Sequence, residues 1–217
     1  MTSTIQRTDS VIPQPLHPAT PSALWIKICG LTTHAGVEAA VDAGADAIGF
    51  VFAPSKRQVT PAGAAELARG APKHIARIAV MLHPSQALVN EVWEIFRPDV
   101  LQTDIGDLDS LLVPRGLQTL PVVRIAWTAL ASPPPRLLFE GPVSGAGEAS
   151  DWAAAEELGR MTQLVLAGGL TPANVREAVA RTRPFGVDVS SGVEAQPGLK
   201  DPIKIREFVR NARAGAS

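Results

Sequence analysis

The sequence predicts a single (β/α)8 barrel, in which eight parallel strands close into a cylinder surrounded by helices. Three observations lead to this fold class. The chain has 217 residues, a length that suits one barrel domain. From Trp25 onward, short β-rich apolar runs alternate with helical patterns, which is typical of a parallel sheet built from βα units. Hydrophobic residues make up 46% of the chain, enough apolar mass for a large core.

Eight candidate strands follow one another at near-regular spacing along the chain. They cover residues 25–29, 47–52, 76–82, 100–103, 121–127, 136–140, 163–167 and 185–189. A doubly wound open sheet is the alternative architecture for such a pattern. We favour closure, because a closed barrel leaves no edge strand that needs protection.

Helical patterns fill most of the intervals between these strands. They cover residues 33–43, 61–69, 85–96, 151–161, 172–182 and 202–213. Residues 105–117 contain only a short helical pattern. Residues 128–135 include three consecutive prolines, which a normal helix does not tolerate. We therefore expect helix 5, which follows strand 5, to be short or missing.

The composition limits the domain organisation and the classes of partner. Residues 1–23 are rich in Pro, Thr, Ser and Gln, so we expect a flexible, disordered leader before a barrel domain at 24–217. Cys29 is the only cysteine, which excludes an internal disulfide framework and favours the cytoplasm. A net charge of −1 gives no bulk attraction for nucleic acid, and no apolar run is long enough to predict a membrane span.

Chemically active side chains stand where a barrel places its functional site, at the C-terminal ends of the strands. Cys29 ends strand 1, Arg57 follows strand 2, Glu140 ends strand 6 and Asp188 lies near the end of strand 8. A buried cysteine is often a small apolar filler. At the rim, nearby positive charge would lower the pKa of the thiol and allow it to act as a base.

The loops after strands 7 and 8 predict a phosphate site. Gly168 and Gly169 separate strand 7 from the next helix, and Ser190, Ser191 and Gly192 follow strand 8. Glycines allow backbone N–H groups to approach a ligand, and the start of a short helix adds to the attraction for an anion. An isolated Gly-Gly is more often a tight turn. Two matching loops on neighbouring strands favour the phosphate site.

Four segments together make residues 24–214 resemble the phosphoribosylanthranilate isomerase family. They are Lys-Ile-Cys-Gly-Leu-Thr at 27–32, Gly-Phe-Val-Phe-Ala-Pro-Ser-Lys-Arg at 49–57, Gly-Gly-Leu-Thr-Pro-Ala-Asn-Val at 168–175 and Asp-Val-Ser-Ser-Gly-Val-Glu at 188–194. The resemblance implies an isomerase of tryptophan biosynthesis. It would convert N-(5-phosphoribosyl)anthranilate to 1-(2-carboxyphenylamino)-1-deoxyribulose 5-phosphate by an acid/base Amadori rearrangement, with no metal and no organic cofactor. We expect a small phosphorylated substrate as the partner and a monomer or weak dimer.

The resemblance also implies a role for each matching residue. Cys29 would be the general base, and Arg57 would bind the anthranilate carboxylate through its guanidinium fork. Asp188 would assist near the base and the ribose hydroxyls, with a buried structural carboxylate as the alternative. The residues expected to bind the substrate phosphate are Gly168, Gly169, Ser190 and Ser191.

Three positions depart from the family pattern, and all of them touch one side of the predicted site. Glu140 stands where the family has the aspartic acid that serves as general acid. Asp104 replaces the histidine of a Gln-Leu-His-Gly pattern, and Glu148 replaces a lysine. Our hypothesis is that the chain keeps the isomerase activity with Glu140 as the acid.

Two alternatives to this hypothesis stay open. One is a barrel that binds a related phosphoribosyl-amine with altered substrate or with reduced or lost catalysis. The other is a non-catalytic protein that binds a phosphosugar or a partner, against which the presence of Cys29 and Arg57 argues.

Overall fold

Eight parallel strands form a closed barrel in a computed structural model that describes residues 24–124, 132–141 and 150–216. Each strand pairs with the next, and β8 pairs with β1 to complete the cylinder. The strands are β1 (Trp25–Cys29), β2 (Ala47–Val51), β3 (Ala76–Val80), β4 (Val100–Asp104), β5 (Gln118–Val123), β6 (Arg136–Phe139), β7 (Gln163–Leu166) and β8 (Gly186–Val189). The predicted barrel is confirmed, and the open sheet is excluded.

Helices follow most of the strands and pack outside the barrel. They are α1 (His34–Asp42), α2 (Pro61–Ala68), α3 (Gln86–Ile95), α4 (Trp152–Gly159), α5 (Val175–Thr182) and α6 (Pro202–Gly215). The weak pattern after β4 forms a short 3-10 helix, Ile105–Asp109, and a second one, Ser191–Val193, follows β8. A small antiparallel pair of β9 (Glu194–Gln196) and β10 (Leu199–Lys200) precedes α6.

Side-chain caps explain where several helices begin. The side chains of Thr33, Thr60, Ser85, Asp151 and Asp201 each accept a hydrogen bond from a backbone N–H in the first turn of the helix that follows. The prediction that helix 5 is short or missing falls largely on residues 125–131, and the predicted flexible leader falls wholly on residues 1–23. Those residues lie outside the described part of the chain.

Strand 5 lies further toward the N-terminus than predicted. We expected 121–127, whereas β5 begins at Gln118 and ends at Val123. Pairing with β4 determines this register, because Val100 faces Gln118 and Asp104 faces Val122. The start of this strand was missed because Gln118 is polar, whereas the prediction relied on a run of apolar residues. As a result, Arg124 follows the strand instead of lying within it.

Helix α5 starts at Val175 and not at residue 172 as predicted. The Asn174 side chain accepts a hydrogen bond from the Thr171 N–H at 2.7 Å and donates one to the Gly169 carbonyl at 2.9 Å. These two bonds close a turn ahead of the helix, which is a common use of asparagine. The turn fixes the loop that follows β7.

The core has two layers. The inner layer fills the barrel and consists of Trp25, Ala47, Ala76, Ile78, Val100, Leu120, Val122, Leu138, Val165 and Ala167. The outer layer packs the other face of the strands against the helices, with residues such as Ile48, Phe50, Leu137 and Phe208. Because alternate strand residues point to opposite faces, both layers come from the same strands.

A cation and two aromatic rings close the floor of the barrel, at the N-terminal ends of the strands. The Arg136 guanidinium lies 4.1 Å from the ring centroid of Phe185, which stacks on Trp25. Arg136 also donates to Gln163 Oε1 at 2.6 Å and 3.1 Å. Burial lowers the pKa of Arg136 to about 10, so it remains charged at neutral pH. The polar contact and the ring together hold a charge in a largely buried position.

Gly186, at the start of β8, should tolerate no side chain at this floor. A Cβ there would lie 2.6 Å from the Trp25 carbonyl oxygen and 2.9 Å from Trp25 Cε3. We expect Gly186→Ala to lower the free energy of unfolding by about 1–3 kcal/mol, the usual cost of overpacking. Gly70→Ala is the matched control, because no atom lies within 4 Å of a Cβ at Gly70. Denaturant titration of both variants tests this, and equal midpoints would contradict it.

Candidate active site

Cys29 and Asp188 lie near the seam where β8 meets β1, and Lys27 joins them. Lys27 and Cys29 are two residues apart on β1, so both face the barrel interior. Lys27 Nζ donates to Asp188 Oδ1 at 2.9 Å, across a register pair of the two strands. Gly49 on β2 makes room for both β1 side chains, since a Cβ there would lie 3.0 Å from Lys27 Cε and 3.1 Å from Cys29 Sγ.

Burial and charge act in opposite directions on this group. Burial raises the pKa of the Cys29 thiol, whereas the positive charge of Lys27 acts to lower it. Burial acts to lower the pKa of Lys27, but the charges of Asp188 and Cys29 outweigh it and raise that pKa above its usual value. Lys27 is completely buried, so its ammonium persists only because these partners surround it.

Arg57 follows β2 as predicted, and its guanidinium already has a carboxylate partner. Arg57 Nε and Nη2 donate to the two oxygens of Glu194 at 2.7 Å and 2.9 Å. Lys200 Nζ donates to the same carboxylate at 2.9 Å. Burial acts to raise the pKa of Glu194, but the bonds from Arg57 and Lys200 lower it overall. Glu194 therefore holds the edge of the guanidinium that carries Nε and Nη2.

Three loops meet at Gly30, directly after β1. This residue has a φ of +73°, in the left-handed region that favours glycine. A Cβ at Gly30 would lie 2.6 Å from Arg57 Cδ and 2.9 Å from Ser190 Oγ. Lys200 Nζ also donates to the Ser190 carbonyl at 2.9 Å. The structure thus brings Arg57 and Ser190, two of the predicted binding residues, together on the face of Gly30 where a side chain would stand.

The loops after β7 and β8 are in direct contact. Gly168 and Gly169 have φ angles of +87° and +64°, which turn the backbone sharply between β7 and α5. Ser191 begins the 3-10 helix after β8. A Cβ at Gly192 would lie only 1.9 Å from the Leu170 carbonyl oxygen, so only glycine allows the two loops to pack this closely. The four predicted phosphate residues therefore share one small region at the mouth of the barrel.

Glu140 belongs to a separate group on the β4–β6 side of the mouth. Arg124 Nη2 donates to Glu140 Oε1 at 2.8 Å, and Arg124 Nη1 donates to Asp104 Oδ1. All three side chains are largely buried, with 12–20% of each exposed. Two of the three departures from the family pattern thus share one guanidinium. The third, Glu148, lies outside the described residues.

Four charged residues of the site were missed as participants by the sequence reasoning. Lys27 could have been found, because it precedes Cys29 by two positions and must share its face of the strand. Glu194 ended the matched segment at 188–194 without an assigned role, and Lys200, six residues later, had no assigned role either. Arg124 was assigned to the interior of strand 5, with no partner. Their pairings join residues distant in the chain, and no local pattern reveals such contacts.

Neither a metal cluster nor a membrane span was found in the described part of the chain. Residues 24–124, 132–141 and 150–216 contain no group of three or more His, Cys, Asp and Glu side chains that could hold a metal ion. Their helices are all too short or too polar to cross a bilayer. The groups present at the mouth are a thiol beside an ammonium, a carboxyl beside a guanidinium, and two closely packed loops that contain glycine and serine.

Comparison with known proteins identifies relatives along most of the chain. A family model described as N-(5′phosphoribosyl)anthranilate (PRA) isomerase matches residues 26–211. The N-(5′-phosphoribosyl)anthranilate isomerase of Streptococcus pneumoniae (strain Hungary19A-6) is 40% identical over 194 residues, covering 88% of this chain and 97% of the relative. The isomerase of Paracoccus denitrificans (strain Pd 1222) is 40% identical over 214 residues, covering 88% and 98%.

Solved structures agree with these relatives. Phosphoribosyl anthranilate isomerase from Thermotoga maritima superimposes with a TM-score of 0.77 at 31% identity, covering 87% of this chain and 98% of that one. A phosphoribosyl anthranilate isomerase in complex with reduced 1-(o-carboxyphenylamino)-1-deoxyribulose 5-phosphate gives a TM-score of 0.75 at 31% identity, with the same coverage. From its sequence match, its barrel and the residues gathered at its mouth, the chain belongs to the N-(5′-phosphoribosyl)anthranilate isomerase family.

Proposed function

We propose that the chain converts N-(5-phosphoribosyl)anthranilate to 1-(2-carboxyphenylamino)-1-deoxyribulose 5-phosphate, with Cys29 as the general base and Glu140 as the general acid. One observation carries the assignment of roles. A buried thiol ends β1 beside an ammonium, and a carboxyl follows β6 on the other side of the same mouth. Acid/base chemistry on a sugar requires these two kinds of group on two sides of the substrate.

The first step is opening of the furanose ring. Glu140 in its protonated form donates a proton to the ring oxygen as the bond from that oxygen to C1′ breaks. The nitrogen lone pair of the anthranilate forms a Schiff base with C1′ at the same time. Glu140 is left as a carboxylate, and Arg124 at 2.8 Å stabilises that charge.

The second step moves a proton away from C2′. The Cys29 thiolate takes the C2′ proton, and the electrons flow toward the Schiff base to give an enolamine. Transfer of a proton to C1′ and loss of the enol proton give the ketone. Lys27 supports this step, because its ammonium favours the thiolate form that burial alone disfavours.

Contacts at the two ends of the substrate orient it over these groups. Arg57 is held in place by Glu194 and offers its remaining N–H groups to the anthranilate carboxylate. The paired loops that carry Gly168, Gly169, Ser190 and Ser191 receive the phosphate. Asp188 acts first on Lys27, its 2.9 Å partner, and through Lys27 on the base.

The cellular setting forms part of the same proposal. A catalytic thiol must remain reduced, which supports the cytoplasm as the site of action. We propose a monomer or weak dimer as the working form. Growth of a tryptophan auxotroph that lacks this isomerase, after introduction of the chain, tests the activity in the cell. Failure of a well-expressed, folded chain to restore growth would contradict the proposed reaction.

Glu140→Gln tests the acid. An amide of the same shape cannot donate the required proton, so we expect kcat to fall by about 10²–10⁴-fold with little change in KM. Cys29→Ala should lower kcat within the same range, because it removes the base. Glu66→Gln, which alters an exposed ion pair on α2, is the control and should keep full activity. Fluorescence of the anthranilate group follows turnover, and a fully active Glu140→Gln variant would remove this residue from the mechanism.

Arg57→Lys tests recognition of the substrate carboxylate. Lysine keeps the charge but loses the planar fork, so we expect KM to rise by about 10–100-fold, as when a hydrogen bond to a charged group is lost. The inhibition constant of ribose 5-phosphate, which lacks the carboxylate, should change little. Arg69→Lys in an exposed pair is the control. An equal loss of affinity for both compounds would contradict the assignment.

Lys27→Met tests the electrostatic support of the base. Burial raises the pKa of Cys29 and Lys27 opposes this, so removal of the ammonium should raise that pKa further and reduce the thiolate fraction. We expect alkylation of this sole cysteine by iodoacetamide at pH 8 to slow by about tenfold, the effect of one pKa unit. The double variant Lys27→Met/Asp188→Asn avoids an unpaired buried carboxylate and should also react slowly. Lys73→Met, at an exposed position, is the control, and an unchanged rate in both Lys27 variants would refute the role.

A further inference from the structure

The hairpin of β9 and β10 carries a buried ammonium that contacts both sides of the predicted binding region. Lys200 Nζ donates to the Ser190 carbonyl at 2.9 Å, to Ser190 Oγ at 3.3 Å and to Glu194 Oε1 at 2.9 Å. An ammonium has three N–H groups, so these three oxygens use all of its donors. Only 1% of the Lys200 side chain is exposed. Lys200 therefore acts on its protein neighbours and not on a ligand.

The oxygen that Lys200 shares extends this contact to Arg57. Arg57 Nε donates to the same Glu194 Oε1 at 2.7 Å, and Arg57 Nη2 donates to Oε2 at 2.9 Å. One carboxylate thus holds a lysine and an arginine. The lysine in turn holds Ser190, which precedes the 3-10 helix after β8. Ser190 is one hydrogen bond away from Lys200, and Arg57 is two hydrogen bonds away.

Backbone contacts fix the hairpin against the loops of the mouth. Thr32 Oγ1, after β1, donates to the Gly198 carbonyl at 2.6 Å. Gly198 has a φ of +88°, and a Cβ there would lie 2.6 Å from the Lys56 carbonyl oxygen in the loop after β2. The Asp201 N–H donates to the Val193 carbonyl at 2.9 Å. The hairpin is thus attached to the loops after β1, β2 and β8.

Stability alone gives little reason for a cation at this position. Burial lowers the pKa of Lys200, and the bond and charge of Glu194 act against this change without cancelling it. A buried ion pair can often be replaced by apolar side chains of similar volume with no loss of stability. The pair of Lys200 and Glu194 is therefore better explained by the geometry that it imposes on its neighbours.

We propose that Lys200 is a positioning residue that holds both ends of the substrate site, Ser190 directly and Arg57 through Glu194. This inference rests on the proposed function, in which Ser190 binds the phosphate and Arg57 binds the carboxylate. Ser190 Oγ accepts from the ammonium, which leaves its own hydrogen for a phosphate oxygen. One buried side chain thus aligns two groups that recognise different parts of the same molecule.

Two compounds that each contain one end of the substrate test this role. Ribose 5-phosphate reports on the phosphate end and anthranilate reports on the carboxylate end. NMR titration of the 15N-labelled full chain gives both dissociation constants. We expect Lys200→Met to raise both constants by about 3–10-fold, the cost of binding when a side chain that was held in place becomes free. Ser190→Ala should raise only the first constant, and Arg57→Lys only the second.

Two further variants separate position from charge. Lys204 donates to the Glu194 backbone carbonyl at 2.7 Å, so Lys204→Met removes the same charge from the same region without touching Arg57 or Ser190. This control should leave both constants nearly unchanged. The double variant Lys200→Met/Glu194→Gln removes one positive and one negative charge, and it should still bind both compounds weakly.

Several results would overturn the inference. Constants that Lys200→Met leaves unchanged, or a change at one end only, would do so. Wild-type affinity in the double variant would also do so, because net charge would then explain the loss. If Lys200→Met does not fold, the double variant decides, since it avoids an unpaired buried carboxylate.

Glu194→Gln decides if neither of these variants folds. It makes the site more positive, yet it weakens the link from Lys200 to Arg57, so the constant for anthranilate should rise. An unchanged or lower constant would overturn the inference.

These binding measurements are independent of turnover. A wild-type chain that binds both compounds, shows the expected losses in Lys200→Met and does not isomerise the substrate would contradict the proposed reaction and support the inference. A turnover-competent chain whose two constants ignore Lys200 would support the reaction and overturn the inference.

Discussion

The ion pair between Lys27 and Asp188 is the interaction on which the site depends. It joins β1 to β8 at the seam that closes the barrel, where the two residues are also register partners. Two charges in the interior persist only when each satisfies the other, so loss of either would leave an uncompensated charge in the core. The same contact places an ammonium beside the Cys29 thiol. Closure of the fold and placement of a cation beside the thiol are thus served by a single pair of side chains.

The mouth of the barrel divides into two halves that differ in their balance of positive and negative side chains. On the side of β8, β1 and β2, two lysines and one arginine face Asp188 and Glu194, so anions entering there meet residual positive charge. On the side of β4 to β6, one arginine faces two acids. An anion is therefore drawn toward the first half. The family pattern is kept in the first half, whereas two departures from it, Asp104 and Glu140, lie in the second half.

Sequence reasoning found the barrel, seven of the eight strands to within two residues at each end, and the positions that line the mouth. These follow from local patterns, because a barrel places the end of every strand at one rim. The shift of β5 depended on its pairing with β4, and the late start of α5 depended on the side chain of Asn174. The links of Lys27 to Asp188 and of Arg57 to Glu194 span 161 and 137 residues. Contacts of that range arise only from the assembled fold.

Among residues 24–124, 132–141 and 150–216, the floor built from Arg136, Phe185 and Trp25 fills the N-terminal end of the barrel. Because a guanidinium and two aromatic rings fill that end, substrate and product pass through the rim where the strands end. Product leaves along the path by which substrate arrives, so the two molecules exclude each other at every stage. An accumulating product would then slow the reaction by competing with the substrate for the same site, and this inhibition requires no separate regulatory site.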